Sequence, residues 1–129
     1  MRIHHIAIWT HNLETLKDFY QTFFDGQIGT KYHNPTTGFE SYFVSFDSGP
    51  SLEIMQKPAV PTTQNDPIQQ ATGYTHVAFS LGSETAVDKK TAQLEQHGYR
   101  VASHPRRTGD GYYESVILDP DGNRVEIAA

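Results

Sequence analysis

No cysteine occurs anywhere in the 129 residues. That excludes a disulfide framework, a thiolate nucleophile and a thiolate-ligated metal centre. A reducing compartment, with the cytoplasm as the default, fits this absence. Positive charge is also scarce: ten Lys and Arg stand against fifteen Asp and Glu, for a formal net charge of −5. Nucleic-acid binding depends on Lys and Arg neutralising phosphates, and the basic pair Arg106–Arg107 makes no stripe. A nucleic-acid partner is therefore not expected. No stretch approaches the roughly 18 apolar residues of a membrane span. The opening Met1-Arg2-Ile3-His4-His5 lacks the apolar run of a signal peptide.

Apolar residues make up 36% of the chain and aromatics 12%, enough to exclude a disordered tail and to build a modest core. The length suits one ordinary globular domain, or two small half-domains sharing a core. An internal repeat favours two related halves. His5-Ile6-Ala7-Ile8 returns as His76-Val77-Ala78-Phe79, an offset of 71 residues. Phe46-Asp47-Ser48-Gly49-Pro50-Ser51-Leu52-Glu53-Ile54 returns as Leu118-Asp119-Pro120-Asp121-Gly122-Asn123-Arg124-Val125-Glu126-Ile127, with offsets of 72 for the Asp and 73 for the Glu. Turns of unequal length account for that drift.

Each half reads as a strand, a helix and further strands. Asn12 is placed to cap a helix whose Leu13, Leu16, Tyr20 and Phe23 recur at helical spacing, with Gly26 and Gly29 marking its exit. Phe39 to Phe46 and Ser51 to Met55 are rich in strand formers, and Asp47-Ser48-Gly49 is a turn signal between them. In the second half Ser83 is the cap, Val87 and Leu94 share a helix face, and Gly98 suits the left-handed position after the last turn. Tyr112 to Leu118 and Arg124 to Ala128 are strands joined by Asp119-Pro120-Asp121-Gly122. The spacing gives repeat modules over 1–57 and 71–129, with a Pro-rich linker over 58–70.

Strand parity then singles out four residues, because alternate side chains point to opposite faces. His5 shares a face with Ala7, His76 with Ala78 and Ser80, Glu53 with Ser51 and Met55, and Glu126 with Arg124 and Ala128. The branched or large apolar neighbours take the other face, where helices pack. Two imidazoles and two carboxylates form a ligand set for a divalent ion. Taken singly, each residue also reads as a packed or solvated strand residue, and a repeat retains residues for packing as well as for ligation. By the same parity His4 faces away from the site, while His11, His33, His97 and His104 carry no signal.

In this order of motifs the chain resembles the glyoxalase / bleomycin-resistance / extradiol-dioxygenase superfamily, the vicinal oxygen chelate proteins. The resemblance rests on His5-Ile6-Ala7-Ile8, the Phe19-Tyr20 helix, Leu52-Glu53-Ile54, His76-Val77-Ala78-Phe79 and the Asp119-Pro120-Asp121-Gly122 turn with Glu126 beyond it. It implies an α+β fold of two βαβββ modules forming a curved mixed sheet around a metal-containing cavity. It further implies a homodimer in which each site takes His5 and Glu53 from one chain and His76 and Glu126 from the other. The metal would be Zn, Ni, Mn or Fe. The glyoxalase I-like branch implies lyase or isomerase chemistry on a small substrate with vicinal oxygens, with Glu126 as base and Glu53 as the opposing carboxylate. His5, His76 and Glu126 alone would suffice for an iron-dependent extradiol-type dioxygenase. A drug- or metabolite-binding protein, with or without metal, is the further alternative. Neither Asn34-Pro35-Thr36-Thr37-Gly38 nor Arg106-Arg107-Thr108-Gly109-Asp110-Gly111 matches a glutathione-binding pattern. Arg106 or Arg107 is a candidate clamp for an anionic substrate group, and Tyr42, Tyr112 and Tyr113 are candidate cavity walls.

Overall fold

The computed structural model describes residues 1–129, which divide into two units, residues 1–63 and 64–129. The first unit runs β1 (His5–Trp9), α1 (Leu13–Phe24), β2 (Gln27–Ile28), β3 (Tyr32–Asn34), β4 (Phe39–Ser45) and β5 (Ser51–Gln56). The second runs β6 (His76–Ser80), α2 (Glu84–Gln96), β7 (Val101–Arg107), β8 (Tyr113–Leu118) and β9 (Arg124–Ala128). No helix is long and apolar enough to cross a membrane.

In the first unit the Asn12 side chain accepts a hydrogen bond from the Thr15 amide at 3.1 Å, capping α1. Leu13, Leu16, Phe19, Tyr20, Phe23 and Phe24 are buried along one side of this helix. Val44, Leu52 and Ile54 are buried on β4 and β5. The helix stops one residue earlier than its glycines suggest: Asp25, not Gly26, takes the left-handed conformation. Gly26 is required for space. A Cβ there would lie 2.5 Å from Val44 Cγ1 and 3.1 Å from the Tyr20 carbonyl oxygen.

The second unit repeats the plan with a smaller core of Val87, Leu94, Ile117, Val125 and Ile127. Ser83 caps α2 by accepting from the Ala86 amide. Gly98 holds the left-handed position after the helix, and the Tyr99 amide then returns to the Leu94 carbonyl at 3.1 Å. The β8–β9 turn is tied by buried Asp119. Its carboxylate accepts from the Asp121 amide, the Asn123 amide and the Asn123 side chain at 2.8–2.9 Å. This turn delivers Arg124 into β9 and sets the phase of Glu126.

The family resemblance implies a curved mixed sheet around a cavity, and the structure corrects that. The strands form two separate mixed sheets, ordered β1-β5-β4-β2 (with β3 paired to β4) and β6-β9-β8-β7. Neither closes on itself, since each order ends at two edges. The alternation of side chains reports which face a strand buries, whereas curvature and closure depend on which edges hydrogen-bond. Each module completes its ladders internally: β1 pairs β5 and β6 pairs β9 in parallel, and the remaining pairs are antiparallel. The first module also carries the short extra strand β3. Pro105 lies in β7, an edge strand, where a missing amide costs no ladder bond on the outer side.

Candidate functional site

The parallel registers of the two modules coincide. Ala7 lies opposite Glu53 and Ala78 opposite Glu126, with each His two positions earlier on the edge strand. A small residue directly across from each Glu leaves room for its carboxylate to lean diagonally toward the His. His5 Nε2 is 3.6 Å from Glu53 Oε2, and His76 Nε2 is 3.4 Å from Glu126 Oε2. The side-chain exposures match as well, at 39% and 17% in the first pair and 39% and 18% in the second. Of the four residues singled out by parity, the structure thus brings together one His and one Glu within each module. Neither unit gathers three or more His, Asp or Glu side chains into a metal-holding group.

These separations test whether a cation suits each pair. A good N–H···O hydrogen bond is about 2.9 Å long, and both contacts exceed that. Two donors each about 2.0–2.1 Å from one tetrahedral ion lie about 3.4 Å apart. Each pair has the donor chemistry and the spacing of two ligands of a four-coordinate ion, and two further donors are needed to complete one.

Each His ring has a hydrogen-bonding partner on its other nitrogen. His5 Nδ1 is 2.8 Å from His4 Nδ1, and His76 Nδ1 is 3.0 Å from Thr75 Oγ1. Parity would turn His4 away, but β1 begins only at His5, so alternation does not govern the residue before it. The His5 ring also meets Phe43 edge-on, with centroids 5.4 Å apart.

The surroundings of the two pairs differ. In the second unit Glu126 opens onto a groove of about 530 Å³, walled by Ser80, Thr108, Asp110, Tyr112 and Glu114, a size within the range of small-molecule sites. Glu114 and Thr108 carry no signal in a list of motifs. The β8–β9 register would have found Glu114, because it lies opposite Ala128, two residues along from Glu126 on the same face. In the first unit the corresponding face is apolar: Trp9 and Phe43 are each 40% exposed, and Phe39 packs edge-on to Trp9.

The candidate anion clamp is already engaged. Arg106 pairs with Glu114 at 3.4 Å, and Arg107 binds Glu84. Of the three tyrosines, only Tyr112 lines the groove. Tyr42 donates to Glu14 of α1 and Tyr113 to Asp88 of α2, and both phenols are raised above their ordinary range. Burial is the main cause at Tyr42, and the Asp88 hydrogen bond at Tyr113. The remaining histidines make unrelated contacts, His33 with Glu40 and His104 with Glu95.

Residues 2–127 match the Glyoxalase/Bleomycin resistance protein/Dioxygenase superfamily. The chain belongs to this superfamily. Among its relatives, the uncharacterized protein YqjT of Bacillus subtilis is 29% identical over 131 residues, covering 98% of each chain. The glyoxalase family protein of Enterococcus faecalis superposes with a TM-score of 0.79 at 23% identity, covering 99% of this chain and 97% of that one. A lactoylglutathione lyase from Agrobacterium tumefaciens superposes with a TM-score of 0.69 at 25% identity, covering 98% and 91%.

Proposed function

We propose that the protein is a metal-dependent, glyoxalase-like lyase or isomerase acting on a small substrate with vicinal oxygens. The observation that carries this reading is the twice-built His–Glu pair, alike in register, spacing and exposure. Each module offers two ligands, and four complete a first shell. In this reading His5 and Glu53 of one chain and His76 and Glu126 of a second hold one Zn, Ni, Mn or Fe ion within a homodimer. Support for a second copy comes from the edges. β1 and β6 are both edge strands, and β1 exposes Ile6 and Trp9. An unpaired apolar edge is a surface that natural proteins cover. The lactoylglutathione lyase relative supports the reaction class, and the cysteine-free composition supports a cytoplasmic setting.

When bound, the ion would supply Lewis-acid polarisation of the substrate oxygens. The chain's own part is proton transfer and orientation. Glu126 faces the groove and takes the proton from the carbon beside the substrate carbonyl. Glu53, protonated from solvent, delivers a proton on the opposite side, and exchange with solvent resets both carboxyl groups. Ser80, Thr108 and Tyr112 present hydroxyls that orient a polar substrate.

Metal analysis of the native protein, sizing with and without chelator, and a screen of α-keto thiol adducts test the proposal. Stoichiometric metal in a dimer, with product formed anaerobically, supports it. Glu126→Gln should abolish turnover with the fold intact, and wild-type turnover in that variant would remove Glu126 as base. Ligand capture with no product would establish the binding-protein reading, which the exposed Trp9 and Phe43 favour. Oxygen consumption that follows ferrous iron loading would establish the dioxygenase reading.

A further inference from the structure

From the hydrogen bonds on the ligand rings, we infer that His4 and Thr75 are positioning residues that set His5 and His76 to bind metal through Nε2. This inference rests on the metal-binding reading above. An imidazole that gives its Nε2 lone pair to a cation must carry its proton on Nδ1, and that N–H needs an acceptor. The structure supplies one in each module: His4 Nδ1 at 2.8 Å from His5 Nδ1, and Thr75 Oγ1 at 3.0 Å from His76 Nδ1. Both partners can accept. Both directly precede the ligand His, although one is an imidazole and the other a hydroxyl. The same geometry reached with different chemistry points to the hydrogen bond, rather than the side chain, as the shared requirement.

Local structure explains why the preceding residue can reach. β1 and β6 begin at the His itself, so residues 4 and 75 precede the strands and are free of their alternation. The His4 carbonyl accepts from the Ser51 amide at 3.1 Å, which anchors the turn into β1 beside β5. The His4 and His5 rings meet edge-on at 5.1 Å. With Nδ1 2.8 Å from His4 Nδ1 and Phe43 meeting the ring edge-on, the His5 ring places Nε2 3.6 Å from Glu53 Oε2. At His76 the Thr75 hydroxyl fixes the ring in the same sense, with Nε2 directed at Glu126.

The test is Zn²⁺ affinity of the full-length protein, measured by competition with a chromogenic chelator, alongside the melting temperature of the metal-free form. Thr75→Val and His4→Ala should each weaken Zn²⁺ binding by about 10- to 100-fold, while leaving the metal-free melting temperature unchanged. Thr75→Ser, which keeps the acceptor, should restore wild-type affinity. Variants that hold Zn²⁺ as tightly as wild type would overturn the inference, as would a Thr75→Ser loss equal to that of Thr75→Val. A wild-type protein that takes up none of Zn²⁺, Ni²⁺, Mn²⁺ or Fe²⁺ would instead overturn the metal reading and this inference with it, so the two failures are distinguishable.

Discussion

Glu126 of β9 stands opposite Ala78 of β6, and its carboxylate reaches diagonally to His76 two residues before that alanine. The first module sets Glu53, Ala7 and His5 in the same relation. The alanine is therefore part of the site by virtue of its size. Ala78→Leu should place a branched side chain where the Glu126 carboxylate crosses. The expected result is metal affinity reduced by about tenfold or more, as when an outer partner of a ligand is lost. Position 78 is exposed, so stability should change by no more than about 0.5 kcal/mol. Chelator competition together with thermal unfolding separates the two effects.

Gly26→Ala should be destabilising by about 1–3 kcal/mol, the usual cost of overpacking. Val44 is fully buried, so its Cγ1 has little room to retreat from an added Cβ, and the Tyr20 carbonyl is backbone that cannot retreat alone. Urea unfolding of the variant, compared with wild type, reads this directly. No change in midpoint would mean that the α1–β4 packing yields freely.

Thr91 and Ser115 share a hydrogen bond of 2.6 Å in the interior of the second unit, and Thr91 also donates to the Val87 carbonyl at 2.7 Å. One hydroxyl proton cannot serve both contacts at once, so the Ser115 hydroxyl donates to Thr91 while Thr91 donates to Val87. Thr91→Val keeps the shape and strands the Ser115 hydroxyl, at an expected cost of about 1–3 kcal/mol. The double variant Thr91→Val/Ser115→Ala should recover most of that loss, and a double-mutant cycle by denaturant unfolding measures the coupling.

Glu14 accepts from Lys31 and Tyr42 and pairs with Lys17. Burial pushes its carboxyl upward, but the bonds from Lys17, Lys31 and Tyr42 outweigh that and hold it below its ordinary 4.5. Lys17 is raised above 10.5, first by Asp18 and then by Glu14, and Lys31 by Glu40 and Glu14. A carboxyl depressed in the folded state contributes stability above its unfolded value, which is lost as pH falls through the folded value. An ammonium raised in the folded state contributes below its unfolded value, and this is lost as pH rises through the folded one. The network thus stabilises fully between 4.5 and 10.5. Glu14 is half exposed, so Glu14→Gln should cost under about 1 kcal/mol at neutral pH. It should also flatten the acid limb of a stability–pH curve measured by urea unfolding.

Local periodicity made much of this protein legible. The repeat, both helix caps, the buried stripe of α1 and the left-handed Gly98 all depend on residues within a few positions of one another. Parity also separated Glu53 and Glu126 from the buried Leu52, Ile54, Val125 and Ile127 of their own strands, because alternation in a strand is a local property. What it could not reach were relationships that depend on pairing partners. The contact between His4 and His5 lies outside what parity describes, because β1 begins only at His5. Glu114 and Thr108 enter the groove only through the β8–β9 register and the course of the loop before β8. Arg106 and Arg107 are taken up by carboxylates that are distant in sequence.

The amino-acid sequence by itself determined that this is a cysteine-free, duplicated β-α-β chain with a His and a Glu at matching positions in each half. Those features follow from side-chain chemistry and from the periods of helix and strand. Only the tertiary structure decided that the strands form two open sheets, that each His meets its Glu diagonally across a parallel pair, and that the preceding residue holds the ring's other nitrogen. Hydrogen-bond pairing and side-chain reach are set between segments distant in the chain, where local periodicity carries no information.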